Sequence, residues 1–365
     1  MSRPTWARWV TRISLVVGLA ALVFTVYDIG PQNIGTYFQR IGWWWFAVVA
    51  LEIVITTLDA IAIRAFMSPE SHTIKLRSTL LAQLAGRAVN AVTPLGNLGE
   101  AVKVSVLTEH TSQSRAVSTI LLYNVVSFSV ELAVVAVAVI VGLILVPMPT
   151  SIMWFMVVIG IASTLISIGL FALVRRGLLG SLVRLIRRLR IITEARLETW
   201  QAKLAPIDAK MRLVEGARRR DRWLGVLAVV ASRLTSMSLS YLVFVAMGGS
   251  LTVVFVVWTT VGGFAVYMLS SLVPMGVGVS EGGYWGMFRA LGENPARGVT
   301  MVIARRVTLL VYAGIGLVLM TASETVQRAR DKAEERTAAT SGSQLAAAAV
   351  TAAASVNDPV TDAAD

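Results

Sequence analysis

Hydrophobic positions fall along this chain in long blocks. Apolar stretches at 13–29, 43–65, 117–146, 152–174, 223–247, 252–273 and 297–320 are broken by few charges. About 20 such residues span the ~30 Å hydrocarbon core of a bilayer as a helix, so the pattern predicts seven full crossings. Two further stretches, 80–102 and 276–292, are shorter and interrupted by Pro and Gly. The expected fold is all-α: a polytopic transmembrane helix bundle with two broken segments, re-entrant or short, and an inverted or pseudo-repeated pair of half-sites meeting near the midplane.

Charge orients these blocks. Residues 175–222 hold fourteen Lys and Arg against five Asp and Glu, which places the segment on the cytoplasmic side. Arg3, Arg8 and Arg12 put the N-terminus there as well. The stretch following Arg12 lacks a clean small-x-small cleavage site, so it reads as a retained helix, not a signal peptide. The uncharged turns at 147–151 and 248–251 fall outside. With those sides assigned, 80–102 starts and finishes on one side and must dip in and return near Pro94. Such a segment is tolerated only where protein or a water-filled cavity satisfies its backbone. Segment 276–292 meets the same constraint, as a short crossing or a second re-entrant hairpin. Arg328, Arg330, Lys332 and Arg336 place the C-terminus inside. The predicted organisation is a membrane domain over 1–325, including the basic segment 175–222, and a cytoplasmic disordered tail over 326–365. Helical spacing of Leu178, Leu182, Leu185, Ile186 and Leu189 among arginines fits either a helix lying on an anionic leaflet or a solvated loop that only enforces topology.

Composition narrows the classes of function. Of 365 residues, 56% are hydrophobic and 15% charged, with net charge +12 and mean hydropathy +0.71. Soluble domains carry about 25% charge; a water-soluble monomer would expose too much apolar surface here. The basic excess reads as topology, not as a nucleic-acid partner. The absence of Cys, with His72 and His110 the only histidines, excludes thiolate chemistry and a His-rich metal cluster. No metal or cofactor is expected, and no nucleotide-binding loop is present. The cluster Trp43, Trp44 and Trp45 reads as an interfacial belt.

The two broken stretches share a layout. In the first, Arg87 and Asn90 precede Pro94, Gly96, Gly99 and Glu100; in the second come Pro274, Gly276, Gly278 and Glu281. Proline ends a helix by removing a donor, and glycine lets backbones approach closely. The restarting helix turns free N–H groups inward, a natural anion site. Broken helices in matching positions of two halves point to a transporter's binding site; the bland alternative is tight helix packing. Within the apolar blocks lie Glu52, Asp59, Glu131, Arg233, Arg305 and Arg306. Each costs at least ~2.5 kcal/mol to insert and so should face the interior in pairs, for example Arg233 with Glu131.

These stretches carry a resemblance. Residues Gly86–Leu107 and Leu269–Gly316, the latter with Ala290, Gly292 and Arg306, resemble the two signatures of the lysylphosphatidylglycerol synthase transmembrane region, a family of flippase-like integral membrane proteins; Met275 stands where that family usually has glycine. The resemblance covers roughly residues 10–325. It implies lipid translocation with the lipid unspecified; aminoacyl transfer, which in the synthases belongs to a separate cytosolic domain, is not implied by it.

The expected function is translocation of an anionic phospholipid or lipid-linked headgroup across the cytoplasmic membrane, without catalysis. Membrane lipids would be the partners, together with an enzyme of lipid or glycan synthesis. Arg87, Asn90, Arg233 and Arg306 would hold the phosphate. The breaks at Pro94, Gly96, Gly99, Pro274, Gly276 and Gly278 would pass the headgroup, and Glu100 and Glu281 would position or gate them. Two alternatives stand beside it: a membrane-embedded transferase acting on a polyprenyl phosphate, and an accessory scaffold for a pathway enzyme.

Overall fold

In the computed structural model, the residues described are 42–92, 98–147, 150–176, 219–271 and 278–318, except 313 and 317. All regular structure among them is helical. The expected first crossing at 13–29, most of the basic segment and the tail at 326–365 lie outside the described residues, as do Pro94, Gly96, Pro274 and Gly276.

Helix α1 spans Trp44–Phe66. A short 3-10 turn at Glu70–His72 leads to α2, Leu76–Val92. Then follow α3 (Leu98–Leu107), α4 (Gln113–Leu145) and α5 (Thr150–Arg176). The second half runs through α6 (Arg219–Ala246), α7 (Val253–Ser270), α8 (Val279–Ala290) and α9 (Pro295–Gly316). Six of these (α1, α4, α5, α6, α7 and α9) are long and apolar enough to cross a membrane. They match the last six predicted blocks, with ends displaced by a few residues.

Two buried clusters define the ends of the bundle. At one end, Ile63 and Phe66 from the close of α1 pack with Ala82 of α2, Leu107 of α3, Ala116 of α4 and Val229 of α6. At the other, Val48 near the start of α1 packs with Phe244 of α6, Phe255 of α7, Phe288 of α8 and Met301 of α9. Phe244 and Phe255 stack at 3.7 Å between centroids, and Phe288 meets both edge-on.

These clusters fix the path of both broken segments. Ser78, at the start of α2, hydrogen-bonds His110, just past α3, at 2.8 Å, so 80–102 enters and leaves at the first end as topology required. Packing places the short helix α8 against the helix before it. Helix α8 has only 12 residues, about 18 Å at 1.5 Å per residue, short of the ~30 Å core. It folds back along α7: Ser270 Oγ and Ser280 Oγ are 2.9 Å apart at the turn, while Phe288 reaches Phe255 at the far end. The second hairpin therefore opens at the end opposite the first.

The helix order is an inverted repeat. Long helix, hairpin, long helix (α1, α2, α3, α4) recurs as α6, α7, α8, α9 running the other way. The equivalent helices α1 and α6 lie antiparallel along one another, from Val48 beside Phe244 to Ser68 Oγ donating to Asp221 at 2.7 Å. Helix α5 packs on α4, with a Gly160 site that any side chain would crowd against Val139. Its outer face bears exposed Trp154, Phe155, Ile161 and Leu165, a surface suited to lipid and not to water. Trp43 is 86% exposed beside Phe46 at the start of α1, as an interfacial belt would be.

Candidate functional site

Three polar centres occupy the bundle interior. The first ties the hairpin α2–α3 to its neighbours. Gly86 on α2 and Gly99 on α3 face each other, and a Cβ on Gly99 would run into the Gly86 carbonyl oxygen and the Asn90 side chain. This close approach is why glycine is needed on both arms. Asn90 then reaches across the break: its Oδ1 accepts the Gly99 N–H at 2.7 Å and its Nδ2 donates to Glu100 at 3.2 Å. The start of a helix leaves orphan N–H groups that a side-chain acceptor can satisfy; here the acceptor comes from the opposite arm. Glu100 also accepts from Lys103 Nζ at 2.9 Å and from Asn124 Nδ2 of α4 at 2.9 Å. Lys103 is 4% exposed and lies over the Tyr123 ring. Lys103 and Asn124 were not among the predicted site residues.

The second centre joins α1 to α2 and α6. Arg87 Nη2 meets Glu52 Oε2 at 2.6 Å, and its Nη1 donates to Thr56 at 2.8 Å. One turn further along α1, Asp59 accepts from Gln83 at 2.9 Å, Ser232 at 2.6 Å and Arg233 at 3.1 Å. Arg233 Nη2 also donates to the Tyr123 hydroxyl at 3.3 Å. The expected Arg233–Glu131 pair is therefore replaced by Arg233–Asp59. The reason lies in the packing of α1 on α6, which sets the two residues, 174 positions apart, side by side.

The third centre lies in the second half. Gly278 adopts φ +80°, a left-handed conformation that favours glycine, and caps α8. Glu281 accepts the Gly278 N–H at 2.8 Å through Oε2, and its Oε1 meets Arg306 Nη2 of α9 at 2.8 Å. Asn124 and Arg306 are each twelfth in their long helix, so Glu100 with Asn124 and Glu281 with Arg306 are the same contact in the two repeats. The N–H groups of Gly99 and Gly278, beside the two breaks, are already satisfied by protein side chains, and Arg87, Arg233 and Arg306 each hold a carboxylate.

Two adjoining cavities open beside these centres, of ≈ 270 Å³ and ≈ 180 Å³. Both are walled by Ser240 of α6, Gly263 and Tyr267 of α7, Tyr284 of α8 and Arg305 of α9. The larger also touches Arg306, and the smaller touches Arg233 and Glu131. Arg233 and Arg306 thus share a cavity system, whereas Arg87, Asn90, Gly99 and Glu100 belong to the closed first hairpin. Arg305 was visible in sequence as an intramembrane charge, but its neighbour Arg306 was preferred for the site. Adjacent helix positions point about 100° apart, and only packing decides that Arg305 walls both cavities and Arg306 one.

Among curated proteins nothing matches, and among solved structures nothing matches either. A family model matches residues 12–316, nearly the whole inverted-repeat bundle, and the chain belongs to the family described as the lysylphosphatidylglycerol synthase TM region.

Proposed function

We propose that this membrane protein moves a phosphate-bearing lipid headgroup between the leaflets of the cytoplasmic membrane, with both termini on the cytoplasmic side and without covalent chemistry. The observation that carries the reading is a pair of hairpins opening at opposite ends of the bundle, the second of them beside a cavity system that Arg233, Arg305, Arg306 and Glu131 reach. A headgroup crossing hydrocarbon must exchange water for protein donors, and broken helices in an inverted repeat are a recurrent way to supply them. Each cavity falls below the ~300 Å³ at which pockets enclose a drug-sized ligand. A headgroup fits, while acyl chains stay in lipid beside the apolar outer face.

Family membership supports the involvement of membrane lipid. In this reading Glu281 and Glu100 hold the hairpin arms to their neighbouring helices. Arg306, held by the Glu281 carboxylate, fixes the α8 arm against α9 beside the larger cavity.

The test is reconstitution in liposomes with a panel of labelled phospholipids and polyprenyl phosphates, followed by analysis of the recovered lipid. Faster leaflet exchange of at least one unaltered lipid is expected. Covalently altered lipid would favour the transferase reading, and no exchange for any lipid would overturn translocation.

A further inference from the structure

Arg305 is the eleventh residue of the 22-residue α9, at mid-depth, where an arginine facing hydrocarbon is strongly disfavoured. Its side chain is exposed within the bundle and walls both cavities. Unlike Arg87, Arg233 and Arg306, it makes no ion pair within 4 Å among the described residues. Glu131 of α4 walls the smaller cavity and likewise makes none. Arg233, in the same wall, is balanced by Asp59, yet its buried Nε has no acceptor among the described residues. The cavities' charge balance is therefore simple. The pairs Arg233–Asp59 and Arg306–Glu281 cancel, leaving the Arg305 guanidinium and the Glu131 carboxylate facing shared space, neither in an ion pair within 4 Å among the described residues.

A charge held at mid-depth in a bilayer without a partner is costly, so the ligand that completes this cavity brings one group of each sign. A purely anionic headgroup would satisfy Arg305 and confront Glu131. We infer that the site takes a zwitterionic phosphodiester headgroup, its phosphate on Arg305 and its ammonium on Glu131. Tyr241, Tyr267 and Tyr284 in the same walls add hydroxyl donors and ring faces that attract a cation. This rests on the translocation reading above and sharpens the anionic headgroup expected from sequence. Arg306, locked to Glu281, is a positioning residue, and Arg305 is the phosphate contact.

The test measures leaflet exchange of ethanolamine-, choline- and glycerol-headgroup phospholipids in liposomes holding wild-type protein, Glu131→Gln, Arg305→Gln or Arg305→Lys. Wild type is expected to move the two ammonium lipids faster than the glycerol lipid. Glu131→Gln should reverse that preference, a gain that a misfolded protein cannot produce. Arg305→Gln should slow exchange of all three by roughly tenfold or more, the size expected for losing a charge-assisted hydrogen bond, and Arg305→Lys should restore part of it. A wild type that prefers the glycerol lipid, or a preference untouched by Glu131→Gln, would overturn the zwitterion assignment while leaving translocation standing. Absence of exchange for every lipid would overturn both. Uptake of free phosphoethanolamine without lipid exchange would relocate the ligand from membrane to water and overturn the lipid assignment.

Discussion

At Gly99 the first hairpin has no room for a side chain: a methyl group would meet the Gly86 carbonyl and Asn90. Backbone cannot rotate away as a flexible side chain could, so Gly99→Ala should cost about 1–3 kcal/mol through overpacking. Gly169 on α5 is a useful contrast, since a Cβ there meets nothing within 4 Å. Gly169→Ala should be neutral or slightly stabilising, because Ala is the better helix former. Thermal unfolding of the two variants in detergent distinguishes them, and equal midpoints would argue against the close contact of the two arms. The glycines of both breaks were legible in sequence because composition there changes abruptly. Arg305 and Arg306 show where legibility stops. They are adjacent, identical and equally deep, and only the seating of α9 against Glu281 separates the one paired with that carboxylate from the one that walls both cavities. Lys103 and Asn124 are hard to read for a related reason: one lies midway along a short arm and the other is an uncharged residue in an apolar block. The signal that could have found Asn124 is its position, the repeat counterpart of Arg306.

The hairpins are the elements on which the orientation argument turns. The first was readable because two basic segments forced 80–102 to return to the side it left; the break near Pro94 followed. The second remained a choice between crossing and hairpin, since residue counts alone do not say along which helix α8 packs. Side chains at the ends decide it: Ser78 with His110 closes one hairpin, and Phe255 with Phe288 closes the other. Because the chain has no native cysteine, His110→Cys and Gly292→Cys each give a single reactive site. An impermeant thiol reagent applied to intact cells and to inverted vesicles should label position 110 only from the cytoplasmic side and position 292 only from the outside. Labelling of both from one side would contradict hairpins opening at opposite ends.

For the whole molecule, the two repeats meet at Asp59 and Arg233. These residues stand at equivalent depths of equivalent helices and pair across the axis that relates the halves. Asp59 is 2% exposed and satisfies Gln83 and Ser232 as well, so Asp59→Asn leaves Arg233 without its balancing charge. Breaking a buried pair on one side costs roughly 3–5 kcal/mol, and Asp59→Asn should lower the unfolding midpoint accordingly. The exchanged pair Asp59→Arg with Arg233→Asp should recover part of the loss. Failure of the exchange to recover anything, with both single variants severe, would assign the effect to the hydrogen bonds of Asp59 and not to the pair. Both residues are legible in the sequence as intramembrane charges, but the Arg233–Asp59 pairing is not, because depth can be read from the apolar blocks and helix adjacency cannot.

The central claim is that this inverted-repeat bundle carries lipid headgroups across the bilayer. The most direct measurement is the fraction of a headgroup-labelled zwitterionic phospholipid that an impermeant quencher reaches in sealed proteoliposomes. The account predicts that accessibility rises beyond the outer-leaflet share toward completeness in vesicles containing the protein, and that Arg305→Gln slows this rise. A plateau at the outer-leaflet share, equal to that of empty liposomes for this and every other lipid tried, would contradict it.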